Sequence, residues 1–275
     1  MTPLKALTTY FNKTIALSEF GSNYFLTFFI LLVILIIKKR KNNSNLLISF
    51  LFVITTFVSI VIFWGLTKSL GADFPISYLN PINVIFDSVV EFVNVKNGQS
   101  SLSGLAYILG FQFLGVLAGF LTFILFYYIL RRQFNSYFEQ NTNVTLYEIC
   151  LKNYEEKVST NSIKEVFFIF LYTITIPIFN RVSHIQSGLK TFDVLLINMA
   201  ILFFIFFLSS NFKFYTFHIF IGLGFTIMSL ILEQKQIRKI IINFSISLST
   251  SIIIPIVIGL ITFFIIKGGS HAFSY

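Results

Sequence analysis

Apolar residues in this chain gather into long uncharged blocks instead of alternating with polar ones. The blocks cover 19–37, 46–70, 104–130, 192–210, 215–232 and 240–266. A helix needs about 20 apolar residues to cross a hydrocarbon core about 30 Å thick, so the pattern predicts six membrane-spanning helices. A further block over 163–180 contains Pro177. Its apolar part, 166–180, lies near the lower length limit and is open between a span, a re-entrant segment and an interfacial helix. Between the second and third blocks lies 71–92, GADFPISYLNPINVIFDSVVEF, which is too polar for a lipid-facing span. Pro81 fixes a helical φ and has no N–H to lose, and Asn80 before it is a good N-cap. A helix over 81–92 is roughly 18 Å long, about half the hydrocarbon core. Non-helical backbone at membrane depth survives only inside protein or beside a water-filled cavity. The stretch therefore predicts extended backbone over 74–79 and a re-entrant half-helix from Asn80. Asn83, Asp87 and Glu91 recur along that helix at every fourth residue. This polar stripe suits a pore wall; a short amphipathic helix on the membrane surface is the alternative.

Composition agrees with a single membrane domain. The chain has 275 residues, 56% hydrophobic and 11% charged, which is membrane composition at single-domain length. One cysteine, Cys150, leaves no intrachain disulfide. His184, His218 and His271 are too scattered for a metal cluster, and no cofactor is expected. No nucleophile, base and orienting group fall together, and no phosphate loop is present, so the chain does not read as an enzyme. The net charge of +9 sits beside the spans, where it sets orientation rather than binding nucleic acid. With 131–190 taken as one loop, the loops after the first, third and fifth spans carry four, seven and three Lys/Arg. The positive-inside rule then places both termini outside. The first block ends in Lys38-Lys39-Arg40-Lys41, a stop-transfer flank rather than a signal peptide.

Several motifs follow one another in a telling order. Glu19-Phe20 opens the first span, and an acid inside a span is costly and usually functional. Gly71-Ala72-Asp73 precedes Asn80-Pro81-Ile82. Gln112 stands three residues before Gly115, which forms a small-xxx-small face with Gly119. Asp193 opens the fourth span, Ile221-Gly222-Leu223-Gly224 lies in the fifth, and Pro255 with Gly259 lies in the sixth. In this order they resemble the signatures of the aquaporin and glycerol-facilitator (major intrinsic protein) family. Ile82 stands where the family has Ala, and five extra residues separate Gly71 from Asn80.

The resemblance implies an all-α membrane protein, a six-span bundle of inverted repeats. Residues 1–275 form one membrane domain, with 19–130 as the first repeat, 131–190 as a long polar insert with a short apolar segment, and 191–267 as the second repeat. Asn80, Pro81, Ile82, Asn83, Asp87 and Asn243 are the implied pore lining. Glu19, Asp193 and Gln112 are the implied loop supports, and Gly115, Gly119, Gly222 and Gly259 the packing positions. The family's second Asn-Pro-Ala and its Arg have Asn243-Phe244-Ser245-Ile246 as counterpart, without Pro or Arg. A half-helix over 243–251 leaves 252–266 for the last span, roughly 22 Å and too short. One helix over 240–266 spans with tilt, so the expectation is one re-entrant half-helix with the second lost. The implied activity is passive passage of water or a small neutral solute such as glycerol across the lipid bilayer of the cell (plasma) membrane. Homotetramers, each protomer with its own pore, are implied too. The alternative is a non-conducting aquaporin-like scaffold that docks a protein partner on 131–190. The family keeps both termini inside, the reverse of what the charge indicates.

Overall fold

The protein is described here by a computed structural model, covering residues 7, 10–40, 44–69, 77–92, 103–137, 144–150, 157–186, 190–212, 218–232 and 236–272. Among them are nine α-helices: α1 Lys13–Arg40, α2 Asn45–Ser69, α3 Pro81–Phe92, α4 Leu105–Tyr137, α5 Leu146–Cys150, α6 Val158–Gln186, α7 Thr191–Asn211, α8 Ile219–Leu232 and α9 Ile237–Ala272. Six of these, α1, α2, α4, α6, α7 and α9, are long and apolar enough to cross a membrane. The protein is an integral membrane protein built as a helical bundle.

The number of spans equals the expected six, but one of them changes place with a shorter element. The block over 163–180 belongs to α6, a helix of 29 residues with Pro177 inside it. Hydropathy underrates this helix because its polar residues face protein. Glu165 is fully buried, and its carboxylate accepts from Ser247 Oγ on α9 at 2.6 Å. Asn180 Oδ1 accepts from Asn198 Nδ2 on α7 at 2.6 Å. The polar insert expected over 131–190 is thus not one loop. The block over 215–232 yields only α8, 14 residues and about 21 Å long, because the helix begins only after His218. Asn243 lies inside the continuous 36-residue α9, so no half-helix starts there. A second short helix is nevertheless present, before the last span rather than after Asn243.

Packing follows the small residues. Helices α1 and α4 run side by side in register. A Cβ on Gly115 would collide with the Phe20 carbonyl oxygen, and one on Gly119 would lie 2.7 Å from the Tyr24 carbonyl oxygen. Backbones this close are what a small-xxx-small face permits. Gly21 receives the Phe63 ring of α2, and Gly224 of α8 receives the Phe120 ring of α4. Gly259 of α9 lies against α3, where an added Cβ would be 3.2 Å from the Phe86 carbonyl oxygen. Gly222 is buried in the first turn of α8, its N–H on the His218 carbonyl at 2.9 Å. Helices α2 and α7 meet through stacked Phe52 and Phe206, with ring centroids 5.5 Å apart, and through Asn45 and Asn211 at 2.6 Å. The short helices take crossed partners: α3 packs on α9, α4 and α6, and α8 on α9, α4 and α5.

Candidate functional site

The non-helical segment 77–80 makes a tight reversal before α3. Asn80 N–H donates to the Tyr78 carbonyl at 2.6 Å, an i to i+2 bond that makes Leu79 the centre of a γ-turn. Leu79 has φ 58, the positive-φ form of that turn, which is rare and strained. Asn80 then caps α3: its Oδ1 accepts from Ile82 N at 3.0 Å, and its carbonyl accepts from Asn83 N at 3.1 Å. Asn83 Nδ2 donates back to the Tyr78 carbonyl at 3.1 Å.

The reversal is held from behind by a carboxylate. Glu19 on α1 is 1% exposed. Its Oε1 accepts from Tyr78 N at 2.6 Å, and its Oε2 accepts from Leu79 N at 3.3 Å and from Gln112 Nε2 at 2.9 Å. Three donors compensate a charge that is expensive at membrane depth. They also turn the carbonyls of the segment away from Glu19. One turn on, Asn23 Nδ2 donates to the Glu19 carbonyl at 2.9 Å, which leaves its Oδ1 as an acceptor.

His218 faces this segment from the start of α8. Its Nδ1 accepts from Ile221 N at 3.4 Å, so the ring caps α8 as Asn80 caps α3. That bond requires a bare Nδ1 and places the proton on Nε2. Nε2–H lies 2.7 Å from the Leu79 carbonyl and 2.8 Å from Asn23 Oδ1 and donates to both. The first turns of α3 and α8 therefore approach each other through one imidazole. Each helix N-terminus carries about half a positive charge, and the Glu19 carboxylate stands behind the first of them. Tyr172 of α6 reaches toward Asn80 and Asn83 from the other side.

From the junction α3 leads outward. Asp87 lies one turn beyond Asn83, with the buried Tyr78 hydroxyl beside it. One turn further, Glu91 Oε1 pairs with Arg181 Nη1 of α6 at 2.6 Å. Pro81 and Ile82 are buried in the first turn of α3, with Ile82 in the main apolar cluster.

Of the residues singled out from the sequence, Glu19, Gln112, Asn80, Pro81, Ile82 and Asn83 come together here, and Asp87 continues their stripe. Asn243 does not join them. It is buried on α9 one turn before Ser247, and its Oδ1 has no partner among the described residues. Asp193 is also displaced from its expected role. It sits in the first turn of α7, and its Oδ2 accepts from Lys190 N at 3.2 Å, an exposed capping contact rather than a loop support. The reason is placement: Asp193 starts the fifth span, not the fourth, and the buried acid of the fourth is Glu165. Residues 71–76, including Gly71-Ala72-Asp73, lie outside the described residues. His218, Asn23, Tyr172, Glu165 and Arg181 escaped the sequence reading. Glu165 carried a signal, because it stands about two turns into α6 as Glu19 stands about two turns into α1. Comparison with family models, with curated proteins and with solved structures gives no match for this chain.

Proposed function

We propose that this protein is a passive channel of the aquaporin and glycerol-facilitator type, for water or small uncharged solutes. The observation that carries the proposal is the meeting of two short helices, α3 and α8, N-terminus to N-terminus at the Leu79 carbonyl and His218. The helix order supports it. Two long helices, a short one and a long one (α1, α2, α3, α4) are followed, after α5, by the same series (α6, α7, α8, α9). The packing pairs exchange between the two series: α1 with α4 and α6 with α9, α1 with α2 and α6 with α7, α3 with α9 and α8 with α4. Three spans per series make the second run inverted to the first. Buried acids in matching helices, Glu19 with Gln112 and Glu165 with Ser247, fit the same scheme. In this reading α3 and α8 are re-entrant half-helices, and the expectation that the second is lost gives way to α8.

Two facing N-termini put about one positive charge at the crossing, which discourages cations and protons. In this reading His218 takes the position of the family's second Asn, and Ile219-Phe220-Ile221 after it supply no Arg. The channel is therefore expected to pass water and glycerol with poor discrimination. The test is stopped-flow swelling of proteoliposomes against empty vesicles and an Asn80→Asp variant, which keeps the cap but places an ionisable group at the crossing. Swelling above empty vesicles with both solutes supports the reading; water flux with strict glycerol exclusion contradicts the expected selectivity.

A second reading is favoured by one observation: His218 at the crossing is already bonded to both the Leu79 carbonyl and Asn23. A non-conducting scaffold with a retained bundle has this property. Swelling indistinguishable from empty vesicles favours it.

A further inference from the structure

We propose that the polar face of α3 beyond its first turn holds one monovalent metal cation of the sodium or potassium class, bound by the Asp87 carboxylate with the side-chain oxygens of Tyr78 and Asn83. The site goes beyond the channel reading and stands whether or not the crossing conducts.

Charge points to it first. Asp87 and Glu91 are four residues apart on one face of α3. Among the described residues Arg181 of α6 is the one cation acting on them, and its Nη1 is paired with Glu91 Oε1 at 2.6 Å. Helices α4 and α9, which also pack on α3, bring no charged side chain from Leu105–Ile129 or Ile240–Ile266. Glu19, bonded to the Tyr78 N–H, adds negative charge rather than positive. Two carboxylates against one guanidinium leave one negative charge uncompensated. Asp87 is six residues past Pro81, roughly 9 Å along the helix from the crossing, where a bare charge is expensive.

Oxygens converge on that charge. Asn83 stands one turn before Asp87, and its Nδ2 is spent on the Tyr78 carbonyl at 3.1 Å. Its Oδ1 is buried and makes no well-formed hydrogen bond. Tyr78 is 8% exposed, and its hydroxyl lies within electrostatic reach of Asp87, again without a well-formed hydrogen bond. A carboxylate, an amide oxygen and a hydroxyl with unused lone pairs are the ligand types that hard cations take. The face is reachable, because Asn83, Asp87 and Glu91 are partly exposed while Val84, Phe86, Ser88 and Val90 are buried.

The charge balance also sets the valence. One uncompensated charge matches a monovalent ion, and no group of three His, Cys, Asp or Glu among the described residues offers the charge that a multivalent ion needs. Ahead of the ion lie the N-termini of α3 and α8, each about half a positive charge, so the ion is held on α3 and does not travel on through the crossing.

The test uses the full chain in nanodiscs at mildly alkaline pH. A hydrophobic carbodiimide modifies Asp87, and mass mapping of its peptide follows the rate. Sodium or potassium chloride, exchanged for N-methylglucamine chloride at constant ionic strength, is expected to slow that modification about fivefold, the protection of a site four-fifths occupied. Tyr78→Phe removes one oxygen and keeps the ring, and is expected to raise the concentration needed several-fold. Asp193→Asn, at the exposed cap of α7, leaves that concentration unchanged. As a second readout, the alkali ion is expected to raise the melting temperature of the native chain and not that of Asp87→Asn. Should the carbodiimide fail to reach Asp87, the melting shift alone decides. A modification rate equal in all three salts and moved only by pH overturns the site, because a proton then neutralises Asp87. A melting temperature raised equally in Asp87→Asn overturns it as well.

Discussion

At the scale of single residues, the site is a matter of buried charge and its compensation. Glu19 holds three donors, and each donor left unpaired costs about 1–3 kcal/mol. Glu19→Ala is therefore expected to lower stability in detergent by several such increments, whereas Asp193→Asn, an exposed cap, changes it by roughly a few tenths of a kcal/mol. Equal losses in the two melting curves would contradict this assignment. The Glu91–Arg181 pair gives a second expectation. Glu91→Gln strands a guanidinium that is 8% exposed and costs about 3–5 kcal/mol, while Glu91→Gln with Arg181→Gln costs clearly less. A double-mutant cycle of urea unfolding in bicelles decides it; additive losses would rule the pairing out. Glu19 and Gln112 were legible in the sequence as polar residues set in apolar spans, and Asn80 as the N-cap before Pro81. His218 was not, because it reads as one isolated histidine beside an apolar run, and its role depends on Leu79 and Asn23 from far away in the chain. Asn243 misled, since an Asn in an apolar helix looks alike whether it meets a pore or a neighbouring helix.

At the scale of elements, close helix approach separates glycines that matter from glycines that do not. Gly119 faces the Tyr24 carbonyl, whereas nothing lies within 4 Å of a Cβ placed on Gly110 of the same helix. Gly119→Ala is expected to cost about 1–3 kcal/mol by overpacking. Gly110→Ala is expected to gain up to about 1 kcal/mol from helix propensity alone. Thermal unfolding of both variants checks the contrast, and a loss at Gly110 matching that at Gly119 would refute the in-register packing of α1 and α4. Most helices were visible as apolar blocks, and α3 was visible from Asn80-Pro81 and its length. Helices α6 and α8 were exchanged in rank for a physical reason. Hydropathy rewards apolar residues whether they face lipid or protein, and it penalises polar ones such as Glu165 and Asn180 even when a neighbouring helix satisfies them. Length therefore had to come from where the hydrogen-bonded backbone starts and stops.

At the scale of the whole molecule, the exchange of α6 and α8 preserves the charge argument. Lys38, Lys39 and Arg40 end α1, Lys157 and Lys164 lie at the start of α6, and Arg238 and Lys239 lie at the start of α9, all at one end of the bundle. Lys13, Lys68 and Lys190 mark the other end. By the positive-inside rule the basic end is expected to face the cytoplasm. In sealed vesicles of known orientation a tag at either terminus is expected on the face opposite the Lys38–Arg40 end; a tag on the same face as that end would contradict the assignment of the two ends. Beneath orientation lies the central claim, that the crossing of α3 and α8 is a water path and not merely a packed joint. The most direct measurement is the temperature dependence of osmotic water permeability in proteoliposomes holding the full chain. The account expects a rate above that of empty vesicles with a clearly lower activation energy, and a change in that rate when Asn80 or His218 is replaced. A rate and an activation energy equal to those of protein-free vesicles would contradict it.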